Sequence, residues 1–168
     1  MTSWIYFPKS NPLPPLGHAV VAAFAAAEAL VASDRHENPS NQVLAAVAPA
    51  LAASGFQVET GKTADAKVSV PVLFGLNGTL EKSFEADAYH REAGFVVEVE
   101  AGRGVVNNQF LKDLFQACMM HGVTHLAIAV RKTYRGSNDF ERVVRFFDTL
   151  YASQRLRLPL EGILVIGY

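Results

Sequence analysis

Two uninterrupted apolar runs constrain the fold of this chain more than any other feature. THLAIAVR covers residues 124–131, and GILVIGY covers residues 162–168. The first run is typical of a strand covered on both faces, and the second predicts a strand at the end of the sequence. Apolar residues at helical spacing predict helices at about 105–121 and 139–152, one before each run. The sequence therefore predicts an α/β fold.

The first half of the chain predicts two helices followed by an antiparallel meander. Residues 18–33 have helical spacing, and Asn38-Pro39 opens a second helix that Gly55 closes. Four strands are expected after it, in the segments GFQVET, AKVSVPVLFG, KSFEADAYH and GFVVEVEAG. Pro71 indicates a sheet edge or a bulge, and the Asn-Gly pair at 77–78 indicates a turn. We expect a single domain over residues 18–168.

Residues 1–17 are expected to form an extended N-terminal arm. Four prolines interrupt this segment, and the apolar residues 4–7 need cover from the body of the protein or from a second subunit. The arm therefore also suggests a homodimer. We expect no membrane partner, because the apolar stretch 19–33 is shorter than the roughly 20 residues needed to cross a bilayer. A signal peptide remains an alternative for that stretch.

Composition limits the function classes that the chain can serve. The 168 residues carry a formal net charge of -1, which gives no general attraction to a polyanion, so nucleic-acid binding would need a local basic patch or bridging cations. The single cysteine, Cys118, excludes a disulfide framework and a cysteine-based zinc site within one chain. A lone cysteine fits a cytoplasmic location.

Three carboxylates on one predicted hairpin are the main candidates for chemistry. Side chains alternate along a strand, so Glu98 and Glu100 share one face, and Asp87 lies on the preceding strand. Such a cluster persists when it is solvated, paired with basic side chains or neutralised by a divalent cation. Oxygen ligands suit Mg²⁺ or Mn²⁺. The alternative is that the glutamates are the solvent-facing side of a half-exposed hairpin.

The spacing of these carboxylates resembles the PD-(D/E)xK nuclease superfamily. Asp87, a ten-residue gap and Glu98-Val99-Glu100 stand on adjacent predicted strands, followed by a helix and an apolar strand. The resemblance covers residues 38–130. It implies the restriction endonuclease-like fold, with a central mixed sheet flanked by helices in three layers. It also implies a Mg²⁺-dependent (or Mn²⁺-dependent) nuclease that acts on DNA.

The same resemblance assigns roles to individual residues and shows two departures. Asp87 and Glu98 match the metal ligands, and Glu100 stands in place of the lysine that positions the attacking water. Glu100 would then be a third ligand or the water-positioning base, while Lys112 on the next helix would supply the missing cation. Ala86 stands where the motif usually has proline. The departure at Glu100 leaves open a catalytically inactive relative that serves as a binding or assembly module.

Polar residues near the carboxylates are candidates for substrate binding. Arg103 lies in the AGRG turn before the next predicted helix, where backbone amides of the helix start can hold a phosphate, and Asn107 opens that helix. Arg131, Lys132 and Arg135 surround Tyr134 in a loop, RKTYRG, which is the most basic local segment of the chain. Ordinary roles in a tight turn, a helix start and an exposed loop remain alternatives for all five.

Overall fold

The computed structural model describes residues 1–102 and 107–168. Its strands are β1 (Ser3–Phe7), β2 (Gln57–Val58), β3 (Val68–Phe74), β4 (Leu80–Ala86), β5 (Ala88–His90), β6 (Phe95–Glu100), β7 (His125–Val130), β8 (Thr133–Tyr134), β9 (Ser137–Asn138) and β10 (Gly162–Gly167). Its helices are α1 (Pro15–Ala26), α2 (Glu28–Val31), α3 (Ser40–Ala53), α4 (Gln109–Met119) and α5 (Asp139–Ser153).

Six of these strands form one mixed sheet in the order β1-β10-β7-β6-β5-β2. The central strands β6, β7 and β10 are parallel, and α4 and α5 provide the crossovers between them. Antiparallel strands complete both sides of the sheet, since β5 pairs with β6 and β1 pairs with β10. The hairpin β3–β4 forms a separate two-stranded sheet. The α/β class, with a mixed sheet and helices, is confirmed.

Helices cover both faces of the sheet because its central strands are apolar on both sides. One face packs on α1 and α3 and contributes Val97, Val99 and Leu164 to that core. The other face packs on α4 and α5 and contributes Val96 and Ile128. Alternating residues of β6 thus enter opposite cores, as the period of a strand requires.

The N-terminal segment differs from the extended arm expected over residues 1–17. Residues Ser3–Phe7 form strand β1, whose register runs from Ser3 opposite Gly167 to Phe7 opposite Ile163. Helix α1 begins at Pro15, because a proline at the first helical position has no amide to leave unpaired. Tyr6 and Phe7 are buried within the protein itself, so the segment gives no support for a homodimer.

Several other boundaries also differ from expectation. The helix expected over 18–33 divides at Ala27 into α1 and α2. Of the helix expected from about 105, residues 105 and 106 lie outside the described residues, 107 and 108 form a turn, and α4 begins at Gln109. The strand expected over KSFEADAYH breaks at Asp87 into β4 and β5. Two predictions from local sequence signals agree with the structure. A turn lies at 76–78, as the Asn-Gly pair indicated, and the β3–β4 register shifts just after Pro71. None of the described helices has the length and hydropathy needed to cross a membrane.

Candidate carboxylate site and adjacent basic cleft

Asp87 occupies the break between β4 and β5, and backbone contacts fix it there. Its carbonyl oxygen accepts a hydrogen bond of 2.8 Å from the Glu59 amide. Its carboxylate Oδ2 accepts a hydrogen bond of 2.7 Å from the Val99 amide on β6. The side chain is therefore directed across the hairpin toward the strand that carries the two glutamates.

Glu98 and Glu100 lie on the face of β6 that looks toward α4. The antiparallel ladder pairs Ala88 with Val97, so the next position brings Asp87 opposite Glu98. Both glutamates are partly buried, whereas Val97 and Val99 are fully enclosed on the opposite face of the sheet. The predicted alternation along β6 is confirmed, and the three predicted carboxylates share one site.

A fourth carboxylate, Asp113, reaches this site from α4. It is only 7% exposed, and its Oδ2 atom is buried without a hydrogen-bond partner among the described residues. Asp113 is not among the site residues predicted from the sequence. Asp113 lies between Phe110 and Leu114 on the buried face of α4. A charged residue on an apolar helical stripe was the signal that could have identified it.

These carboxylates line a pocket of about 230 Å³. Its lining residues are Ser40, Glu59, Glu85, Asp87, Glu98, Val99, Glu100, Lys112, Asp113 and Gln116. Lys112 is the cation in this lining, as the resemblance suggested. Lys67 lies nearby, where its ammonium group forms an ion pair with Glu85. Carboxylates therefore outnumber basic groups in the pocket by a wide margin.

Burial raises the pKa values of Asp87, Glu98, Glu100 and Asp113 in this pocket, and repulsion by neighbouring carboxylates adds to the rise at the first three. Burial raises the pKa of Asp87 to about 6; the hydrogen bond from the Val99 amide opposes the rise, while the negative charges of Glu59 and Asp113 add to it. Burial also raises the pKa of Asp113 above its ordinary value. Burial and these repulsions disfavour a negative charge in the pocket.

Glu100 shows a large shift among these groups. Burial, contact with the Asp113 carboxyl group and repulsion by Asp113 and Asp87 together raise its pKa to about 8, while Lys112 acts in the opposite direction. The pKa of Glu98 is raised as well, first by burial and then by the charges of Asp87 and Asp113. At neutral pH the pocket therefore retains protons that ordinary surface carboxyl groups lose.

The oxygen atoms of the pocket are of the kind that a hard divalent cation prefers, but the side chains are not spaced to coordinate one as they stand. Its acidic groups provide oxygen atoms, which Mg²⁺ and Mn²⁺ prefer, and the Oδ2 atom of Asp113 has no hydrogen-bond partner in the described part of the chain. Within residues 1–102 and 107–168, however, no group of three or more His, Cys, Asp or Glu side chains is spaced to hold a metal ion without rearrangement. Side-chain rotation would be needed to close a coordination sphere.

Arg131 and Arg135 border a second cleft, of about 470 Å³, beside the carboxylate pocket. The two cavities have Ser40 and Glu100 in common. The Arg131 guanidinium stacks on the Tyr134 ring at 5.1 Å from its centroid, and the exposed Arg135 guanidinium lies 5.3 Å from the same centroid. Two of the predicted substrate-binding cations are thus adjacent to the predicted metal ligands.

The other predicted substrate-binding residues do not join this cleft. Lys132 lines a different cavity, and its ammonium group donates to the Met1 carbonyl oxygen. It turns away because neighbouring residues in an extended segment point to opposite sides. Asn107 is exposed and lines neither the cleft nor the carboxylate pocket. Arg103 lies outside the described residues.

Comparison with known proteins gives no relative for this chain. No family model matches it, and neither the curated proteins nor the solved structures include a significant match.

Proposed function

We propose that the protein is a Mg²⁺-dependent or Mn²⁺-dependent phosphodiesterase that acts on DNA. The observation that carries the proposal is the convergence of Asp87, Glu98, Glu100 and Asp113 on one pocket, where the buried Oδ2 atom of Asp113 has no hydrogen-bond partner among the described residues. Side chains that repel one another are expected to be retained together when a cation compensates them. When bound, the divalent cation supplies Lewis-acid activation of a phosphodiester.

The fold that we propose is restriction endonuclease-like. In its support, an antiparallel hairpin (β5–β6) carries the acidic residues, a helix (α4) follows it, and a parallel strand (β7) completes the unit. A helix, α3, also precedes the hairpin. This order agrees with the resemblance over residues 38–130, and β1, α5 and β10 extend the same sheet.

Each acidic residue has a distinct role in the proposal. Asp87 is oriented by the Val99 amide, so its free carboxylate oxygen and those of Glu98 are the natural first ligands. Asp113 supplies an oxygen from α4. Glu100, at the entrance shared with the basic cleft, either completes the ligand set or accepts a proton from the attacking water.

Lys112 compensates in part for the lysine that Glu100 replaces. It lines the pocket, and its positive charge lowers the pKa of Glu100. A lysine on α4 can therefore balance charge that develops on a phosphate. The same replacement also favours a second candidate function, a catalytically inactive relative that binds nucleic acid or assembles with a partner without cutting.

Calorimetric titration with Mn²⁺, paired with cleavage assays on DNA and RNA, tests the proposal. The variants are Asp87→Asn and Glu98→Gln, and the control is Glu92→Gln, which removes the same charge from the exposed turn of the same hairpin. The proposal requires Mn²⁺ binding and DNA cleavage by the native protein and by the control. Both site variants should lose metal binding and cleavage together.

Other outcomes would separate the remaining hypotheses. Metal binding without cleavage of any substrate would favour the inactive relative. If the native protein neither binds Mn²⁺ at millimolar concentration nor cleaves nucleic acid, the carboxylates are a polar face of the hairpin and the proposal is wrong. Preferential cleavage of RNA would retain the chemistry but change the substrate class.

A further inference from the structure

The basic cleft contains a buried positive charge that the protein does not neutralise. Arg131 is only 6% exposed, and no carboxylate within the described ranges lies at ion-pair distance from its guanidinium group. One of its nitrogens, Nη2, donates to the Asn38 carbonyl oxygen at 2.6 Å, whereas Nε is buried without a partner among those residues. Burying an uncompensated charge is costly, so such an arginine suits an anionic ligand.

Neighbouring residues hold this arginine at the cleft. The Tyr134 ring stacks against its guanidinium group, and the backbone at Gly102 packs against both. A Cβ atom at Gly102 would lie 2.8 Å from the Tyr134 ring and 3.2 Å from Nη1 of Arg131. Arg135 approaches the same ring from the exposed side. Both guanidinium groups border one cavity, and neither forms an ion pair with an acid of residues 1–102 or 107–168.

The N-terminus of helix α3 adds backbone donors to the same cleft. This 14-residue helix begins at Ser40, and its N-cap residue, Pro39, makes no side-chain capping bond. Pro39 and Ser40 both line the cleft. The first amides of an uncapped helix carry a partial positive charge and bind phosphate readily. The helix end and the buried arginine are independent features that favour the same kind of ligand.

We propose that this cleft binds a phosphate group of a nucleic-acid strand whose neighbouring phosphodiester enters the carboxylate pocket. The inference rests on the proposed phosphodiesterase function, because the shared lining residues Ser40 and Glu100 make the two cavities adjacent. The acidic lining residues, Glu37 and Glu100, oppose a second anion and limit the cleft to one phosphate. That phosphate is either the terminal group of a strand or an internal backbone phosphate.

Anisotropy of a short fluorescent single-stranded oligodeoxynucleotide tests the proposal, with EDTA present so that divalent cations do not contribute. The variants are Arg131→Met and Arg135→Gln, with Arg155→Gln as an exposed control of equal charge change outside the cleft. We expect the Kd to rise at least tenfold for Arg131→Met and about fivefold for Arg135→Gln. The control should bind within twofold of the native protein. Circular dichroism verifies folding, and the exposed Arg135 variant decides the matter if Arg131→Met does not fold.

Two comparisons distinguish the source of the phosphate and the origin of any failure. Tighter binding of a 5′- or 3′-phosphorylated strand than of its hydroxyl counterpart assigns the cleft to a terminal phosphate, and equal binding assigns it to the backbone. Native affinity in both arginine variants would overturn the cleft proposal. Because no metal is present, that result leaves the phosphodiesterase proposal to the Mn²⁺ and cleavage experiments. If Asp87→Asn loses cleavage while both arginine variants bind the oligonucleotide with native affinity, the cleft proposal is wrong and the phosphodiesterase proposal stands.

Discussion

Replacing Glu100 by glutamine should stabilise the metal-free protein at high pH. The side chain is partly buried against Asp113, and its pKa of about 8 lies well above the ordinary value of 4.5. The folded protein thus binds a proton at Glu100 over a pH range in which the unfolded chain has released it. The stability that this proton contributes is fully present below the pKa of Glu100 in the unfolded chain. It is lost as the pH rises through the pKa of Glu100 in the folded protein. Glutamine cannot ionise, and its amide can donate a hydrogen bond to Asp113.

The size of the effect follows from the shift in pKa. One pKa unit corresponds to about 1.4 kcal/mol, so holding Glu100 protonated up to about pH 8 costs the native protein about 3 kcal/mol at pH 7. Relaxation of a partly buried site and screening by solvent reduce that figure. We therefore expect Glu100→Gln to gain about 1–3 kcal/mol at pH 8, and almost nothing near pH 4.5. A gain of this size raises Tm by roughly 2–10 °C in a domain of this length.

Urea denaturation followed by circular dichroism, between pH 4.5 and pH 9 and with EDTA present, measures the effect. Glu92→Gln is the matched control, and its stability should follow the native protein at every pH. The difference between Glu100→Gln and the native protein should grow with pH across the interval. If the variant is less stable at pH 8, or if the difference does not change with pH, the carboxyl group is not held protonated by its surroundings and the reasoning is wrong.

Three further predictions concern parts of the fold outside the site. Asn138→Ala should cost about 1 kcal/mol in urea unfolding, because the Asn138 side chain accepts a 3.0 Å hydrogen bond from the Glu141 amide at the start of α5. Phe147→Ala should cost about 3–5 kcal/mol, since this fully buried ring packs against other aromatic residues. Gly94→Ala should lower Tm by several degrees on calorimetry, because φ is +59° and the new Cβ would lie 2.2 Å from the Gly122 carbonyl oxygen.

The parts of the fold that the sequence predicted well are those with strong local signals. The buried strands at 125–130 and 162–167 were recognisable because continuous apolar runs need cover on both faces. Strand β1 was not recognised, because its partner, β10, lies at the opposite end of the chain. Prolines after residue 7 suggested an irregular arm, yet they begin only where the strand ends. Long-range pairing of this kind is absent from any local window.

The site shows the same division between local and long-range information. Asp87, Glu98 and Glu100 were predicted together because a single hairpin carries them. Asp113 and Glu59 come from a helix and from the residue after β2, and only packing brings them to the hairpin. The basic loop illustrates the reverse error, since residues adjacent in sequence were expected to act together. Neighbouring side chains in the extended segment after β7 instead point to opposite sides, so Arg131 and Lys132 line different cavities.

Glutamate at position 100 changes how this pocket can be neutralised. A lysine there would provide a permanent internal cation, whereas Glu100 adds one more acid to a pocket that already contains Asp87, Glu98 and Asp113. Apart from Lys112, protons then supply the counter-charge in the metal-free state, and raising the pH removes them at a cost in stability. A divalent cation would reverse that dependence, because it binds the ionised carboxylates and stabilises the fold more strongly as pH rises. The opposite pH dependences of the metal-free and metal-bound states therefore distinguish a cation site from a polar surface, independently of whether the protein cleaves DNA.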